Sequence, residues 1–107
     1  MTRLEYLHIF GAKLDNVEAI SSMSGLICIN LQNCGLTSAK LTALNGHPLT
    51  TEINLERNFL RTLDELDLST LPQLKEIALD GNAISDFSMF DGTAITVYGQ
   101  DWQNAAY

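Results

Sequence analysis

Four carboxylates carry the most suggestive spacing in the sequence: Glu52 with Glu76, and Glu56 with Asp80, both pairs separated by the same interval. If the segments holding them are neighbouring strands, each pair faces across about 4.8 Å. Acids so placed have three uses. Two carboxyls about 5 Å apart can serve as acid and nucleophile in glycoside hydrolysis. Several oxygens can gather around a hard cation. An acidic patch can also select a basic partner. The first use needs a cleft that excludes water, and the chain carries no companion motif for it. Phosphate-cradling glycine loops of the Gly-x-x-x-x-Gly-Lys or Gly-x-Gly-x-x-Gly kind are absent, as is a Gly-x-Ser-x-Gly nucleophile turn. Asp80-Gly81-Asn82 lacks the ligand spacing of a calcium loop. His8, His47, Cys28 and Cys34 have no Cys-x-x-Cys among them, so no zinc site is expected. The expectation is a non-catalytic chain with no cofactor and no bound metal.

Composition narrows the partner. The chain has 107 residues, 46% of them apolar, with 13 acids against 6 Lys and Arg, a formal charge of −7. That length suits one domain, and that apolar share excludes a disordered acidic tail. Nucleic acid demands a basic stripe, so it is excluded as a partner. No apolar run reaches the roughly 18 residues of a membrane span. Glu5 and His8 interrupt any signal-type stretch at the start, which reads as cytoplasmic. A secreted or cell-surface place is the alternative if this segment belongs to a longer chain. Two cysteines are too few for a disulfide scaffold. Cys28 and Cys34 fall on opposite sides of a strand and its exit, so both are expected as free thiols.

The elements that would position these residues emerge from an internal repeat. Leu4, Leu7, Ile9, Ala12 and Leu14 follow the same spacing as Leu26, Ile29, Leu31, Cys34 and Leu36. Thr50, Ile53, Leu55, Asn58 and Leu60 repeat it, and so do Leu74, Ile77, Leu79, Asn82 and Ile84. The steps from Leu26 to Thr50 and from Thr50 to Leu74 are equal, and the step from Leu4 to Leu26 is slightly shorter. A shorter fifth copy reads Ile95, Val97, Gln100 and Trp102, with Ile95 matched to Ile77. This pattern resembles that of the leucine-rich repeat family, in its classes with repeats of roughly 22–24 residues, over essentially the whole chain. Residues 81–88, Gly-Asn-Ala-Ile-Ser-Asp-Phe-Ser, are similar to a phrase of bacterial internalin-like surface proteins. Ala12 and Thr50 depart from the pattern, where it places Asn and Leu.

The resemblance implies an α/β right-handed solenoid of about five coils, starting near residues 4, 26, 50, 74 and 92, with a parallel concave β-sheet. The residues support that reading independently. Leu7-x-Ile9, Ile29-x-Leu31, Ile53-x-Leu55, Ile77-x-Leu79 and Ile95-x-Val97 alternate with period 2, the mark of half-buried strands. Asn or Cys after each strand would satisfy buried backbone groups at the turn. Ser38 is placed to cap a short return helix through Ala39, Leu41 and Leu44, and Pro72 stops another formed by Leu63, Leu66, Leu68 and Leu71. Val17, Ile20, Met23, Phe87, Phe90 and Trp102 are expected to pack.

Residues between the apolar ones then face solvent in three rows: Tyr6, Cys28, Glu52, Glu76, Ala94; His8, Asn30, Asn54, Ala78, Thr96; and Phe10, Gln32, Glu56, Asp80, Tyr98. The four acids make a central square with aromatics at both ends and Arg57 at a strand exit. We read Tyr6, His8, Phe10, Gln32, Glu52, Asn54, Glu56, Arg57, Glu76, Asp80 and Tyr98 as a surface for a protein or peptide, with the acids favouring a basic one. The alternatives are a face kept soluble by its acids within a longer bacterial surface or intracellular scaffold, and a cation held in the square. The first strand has an uncovered edge that invites an oligomer or further repeats.

Overall fold

A computed structural model describes residues 4–13, 17–100 and 103. Five strands form one open sheet: β1 (Tyr6–Phe10), β2 (Cys28–Gln32), β3 (Glu52–Asn54), β4 (Glu76–Ala78) and β5 (Thr96–Tyr98). All neighbours are parallel and the spatial order equals the chain order. Every connection therefore leaves the end of one strand and returns to the start of the next. Among the described residues no connection is α-helical; each carries a short 3-10 segment: Glu18–Ser22, Ser38–Leu44, Leu68–Thr70 or Ser88–Phe90. With i→i+3 bonds and a longer rise per residue, a 3-10 segment crosses the connection in fewer residues than an α-helix of equal reach.

The register explains why these strands pair. Ile29, Ile53 and Ile77 stand side by side and are 0–2% exposed. Leu31, Leu55 and Leu79 form a second buried row. From the return side they meet Leu41, Leu44, Leu63, Leu66, Leu71 and Phe90, giving one continuous core. Such short strands could not bury this surface alone; stacked copies do. The core opens at both outer strands. Leu7, Ile9 and Val97 are half-buried, whereas their register partners are buried. Among the described residues no helix is long and apolar enough to cross a membrane.

Buried amides join successive strand exits. Asn58 Oδ1 accepts the N–H groups of Cys34 and Leu36 at 2.9 and 3.1 Å, and its Nδ2 donates to the carbonyls of Leu31 and Leu55, both at 2.9 Å. Asn82 repeats this one strand on, accepting from Leu60 N–H and donating to Leu55 and Leu79 carbonyls. Cys34 has only a thiol to offer, shared between the carbonyls of Gln32 and Ile9 at 3.3 and 3.5 Å. Thr50, where the repeat has Leu, is fully buried and its hydroxyl donates to the Leu26 carbonyl at 2.7 Å.

Three local expectations are corrected. The fifth strand is set two residues further on: Ile77 pairs with Val97, not Ile95, and Glu76 pairs with Thr96. Inward and outward faces survive because the slip is even, but each outward neighbour changes. The amide after β5 is Gln103, not Gln100, which is exposed. Gln103 donates to the carbonyls of Leu79 and Gly99 and accepts from Ile84 N–H, its extra methylene reaching the turn from further along the chain. Ser38 does not cap its own segment; its hydroxyl accepts from the N–H groups of Arg61 and Thr62 in the next connection. Leu14 and Trp102 lie outside the described residues.

Candidate functional site

Period 2 puts three aromatics on the solvent face of the sheet: Tyr6 is 65%, Phe10 67% and Tyr98 48% exposed. His8, Glu52 and Arg57 lie beside them, all three exposed, and Gln32, Asn54, Glu56, Glu76 and Asp80 are half-buried. The structure thus brings every expected site residue to this face or its rim. The rows run Tyr6, Cys28, Glu52, Glu76, Thr96 and His8, Asn30, Asn54, Ala78, Tyr98. Tyr98 therefore lies next to Ala78, where the shorter fifth step had placed it beside Asp80.

The four acids do not make one square. Glu52 and Glu76 line a depression of about 240 Å³ with Cys28, Asn30, Asn54, Ala78 and Tyr98. Glu56 and Asp80 line a separate one of about 420 Å³ with Phe10, Gln32, Arg57 and Gly81. The division follows from Asn54. It is the outward residue between Glu52 and Glu56; its Oδ1 accepts the Glu56 N–H at 3.0 Å and its Nδ2 donates to the Glu56 carboxylate at 3.3 Å, so its amide stands between the two acids of its strand. Among the described residues no three His, Cys, Asp or Glu side chains gather in a way that could hold a metal ion. The cation reading of the square loses its geometric basis.

Backbone constraints hold the second depression. Arg57 has φ of 59° and Gly81, at the matching position of the next copy, has φ of 74°. A non-glycine residue in this left-handed region carries a steric cost of about 1–2 kcal/mol. The adjoining ladder bond, Arg57 N–H to Asp80 carbonyl at 2.8 Å, keeps it there. Asp80 is covered by Gly99, whose φ is 90° and whose position leaves no room for a Cβ against the Asp80 backbone. One Asp80 carboxylate oxygen is buried there without a partner.

Outward rows also contain residues that the site expectation passed over. Cys28 donates its thiol to Glu52 at 3.8 Å. Burial, then the Glu52 charge, then that bond hold the thiol above its ordinary pKa, so it stays protonated at neutral pH. Asn30 has an amide oxygen buried with no partner. Both were legible as outward positions from period 2 alone. His47, weighed at the sequence level only as a metal ligand, is fully buried, with Nε2 3.1 Å from the Ala43 carbonyl. Nothing in the local pattern of Asn-Gly-His-Pro signalled that burial.

No family model matches the chain, and no curated protein matches it.

Proposed function

We propose that this chain is a short leucine-rich-repeat solenoid that binds a protein or peptide on its sheet face, without catalysis, and that its partner is basic. The observation that carries the reading is the placement of Tyr6, Phe10 and Tyr98, all about half exposed or more, on the same face as Glu52, Glu56, Glu76 and Asp80. Aromatic anchors around charge are what recognition surfaces concentrate. Four acids against the single cation Arg57 in the two depressions leave the face negative, which favours a cationic partner and disfavours others. Equivalent positions of successive copies pair in direct register, and this, with the Asn58 and Asn82 bonds, supports the repeat assignment. An open face with shallow depressions argues against an enzyme, whose chemistry needs water excluded.

The test is binding of basic, neutral and acidic peptides by fluorescence anisotropy over a salt series. Basic peptides should bind best and weaken as salt rises. Charge reversal by Glu56→Lys with Asp80→Lys should abolish binding, and Glu52→Lys with Glu76→Lys should do so without touching the Gly99 contact. Unchanged affinity in both double variants, each still folded by circular dichroism, would reject the reading.

A second reading, a section of a longer repeat scaffold, is favoured by Leu7 and Ile9, which are half-buried beside the buried Ile29 and Leu31. An added repeat or a second copy on β1 would complete their burial.

A further inference from the structure

We propose that the depression between β2 and β5 seats one arginine side chain of the partner; this rests on reading the sheet face as a binding surface and names the residue it selects. Size argues first. At about 240 Å³ the depression lies below the roughly 300 Å³ at which small-molecule pockets begin, and so suits one long side chain. Its walls argue next. Glu52 and Glu76 stand on adjacent strands in direct register, and no residue lining the depression is cationic. Two carboxylates side by side repel each other until a cation enters between them.

Two further features separate a guanidinium from an ammonium. Tyr98 closes the β5 end of the depression, and Ala78, its register partner, is the smallest residue of that row, leaving space beside the ring. A planar guanidinium can stack on an aromatic face while its edge donates to carboxylates; an ammonium is a compact, strongly hydrated point charge. Asn30 adds an acceptor. Its amide oxygen, within the residues that line the depression, is buried with no hydrogen-bond partner. An unmade bond of this kind is unfavourable, and a turn of the amide about its last bond would offer the oxygen to an incoming N–H. A guanidinium has five donors, enough for both carboxylates and this oxygen together. Asn54 does not compete, because its amide is engaged by Glu56.

The probes are three labelled peptides of one glycine-spaced design, carrying arginine, lysine or citrulline, measured by fluorescence anisotropy at low ionic strength. The arginine peptide should bind about tenfold more tightly than the lysine peptide. Citrulline, neutral but nearly the same shape, should not bind measurably. Tyr98→Leu and Glu76→Gln should each erase the arginine preference, while Tyr98→Phe keeps it. Both positions are on the solvent face, and the unfolding midpoint of each variant verifies that it folds. Equal affinity for arginine and lysine peptides, or an arginine preference untouched by Tyr98→Leu, would overturn the proposal. If Glu56→Lys still weakens both peptides in that event, the face binds basic chains and only the arginine seat is wrong. If neither cationic peptide binds the wild-type chain, the arginine seat and the basic-partner reading fall together.

Discussion

Replacing Asn58 by Ala should be among the most damaging single changes to this fold. The side chain is fully buried and ties the preceding turn to the exit of its own strand. Its removal strands the N–H groups of Cys34 and Leu36, for which Asn58 Oδ1 is the acceptor. The Leu55 carbonyl retains Asn82 and the Glu56 carbonyl retains Asn33, whereas the Leu31 carbonyl loses its Asn58 donor, so the cost counted on the two N–H groups is a lower bound. Each stranded buried N–H costs about 1–3 kcal/mol. Two give roughly 2–6 kcal/mol, a large part of the about 5–15 kcal/mol that keeps a domain folded. With a urea slope of about 2 kcal/mol/M, the central value of about 4 kcal/mol lowers the midpoint by about 2 M. Urea unfolding followed by far-ultraviolet circular dichroism reads this directly. Asn54→Ala is the control: it removes an amide too, but one that bonds to Glu56 on the solvent face, and should move the midpoint by less than about 0.5 M. Equal shifts in the two variants would refute the claim that buried amides joining the turns hold the copies together.

Four other outcomes follow from the same geometry. Gly99→Ala should destabilise by about 2–4 kcal/mol, because φ of 90° strains an L residue and its Cβ would lie 2.5 and 2.6 Å from the Asp80 backbone N and Cα. Asp80→Ala should not rescue it in thermal unfolding, since the conflict is with backbone. Thr50→Val preserves shape but leaves the Leu26 carbonyl without its donor, and should cost about 1–2 kcal/mol in the urea assay. Glu52→Gln removes a charge that raises the Cys28 pKa, so iodoacetamide should alkylate that thiol severalfold faster at pH 8, while the unfolded chains react alike. Burial also holds Cys34 above its ordinary pKa. Both thiols bind their protons more tightly folded than unfolded, so their contribution is complete below the unfolded value of about 9.0 and is lost as pH rises through the folded values. The urea midpoint should fall between pH 8 and pH 10.5 (an alkaline series chosen to cross those values), and Cys28→Ser with Cys34→Ser should flatten part of that fall.

The outward and inward assignment of the strands was legible because a strand has a period of two and the apolar residues keep it in every copy. Ile29, Ile53 and Ile77 are buried while Glu52 and Glu76 face water, as alternation requires. The pairing of the first four strands was legible too, since a nearly constant repeat brings the same position back beside itself. The candidate site was legible only as a set of outward positions. Whether its acids act together depends on side-chain direction along the strand, which spacing does not encode. Asn54 stands between Glu52 and Glu56 with its amide bonded to Glu56, and the expected square becomes two pairs.

From the sequence alone came the strand faces and the row of aromatics and acids, consequences of period-2 alternation, and the parallel order, a consequence of the nearly constant repeat. Tertiary structure decided the rest. Alternation is blind to a slip of two residues, so Ile95 and Val97 were equally acceptable partners for Ile77. Only the ladder bonds of β5 and the reach of Gln103 select Val97. That choice moves Tyr98 from Asp80 to Ala78 and creates the depression with Glu52 and Glu76. His47 and Ser38 teach the same lesson from the other side of the chain, for each is placed by groups that its own neighbours in sequence do not specify: the core that encloses His47, and the backbone of the next connection that bonds Ser38.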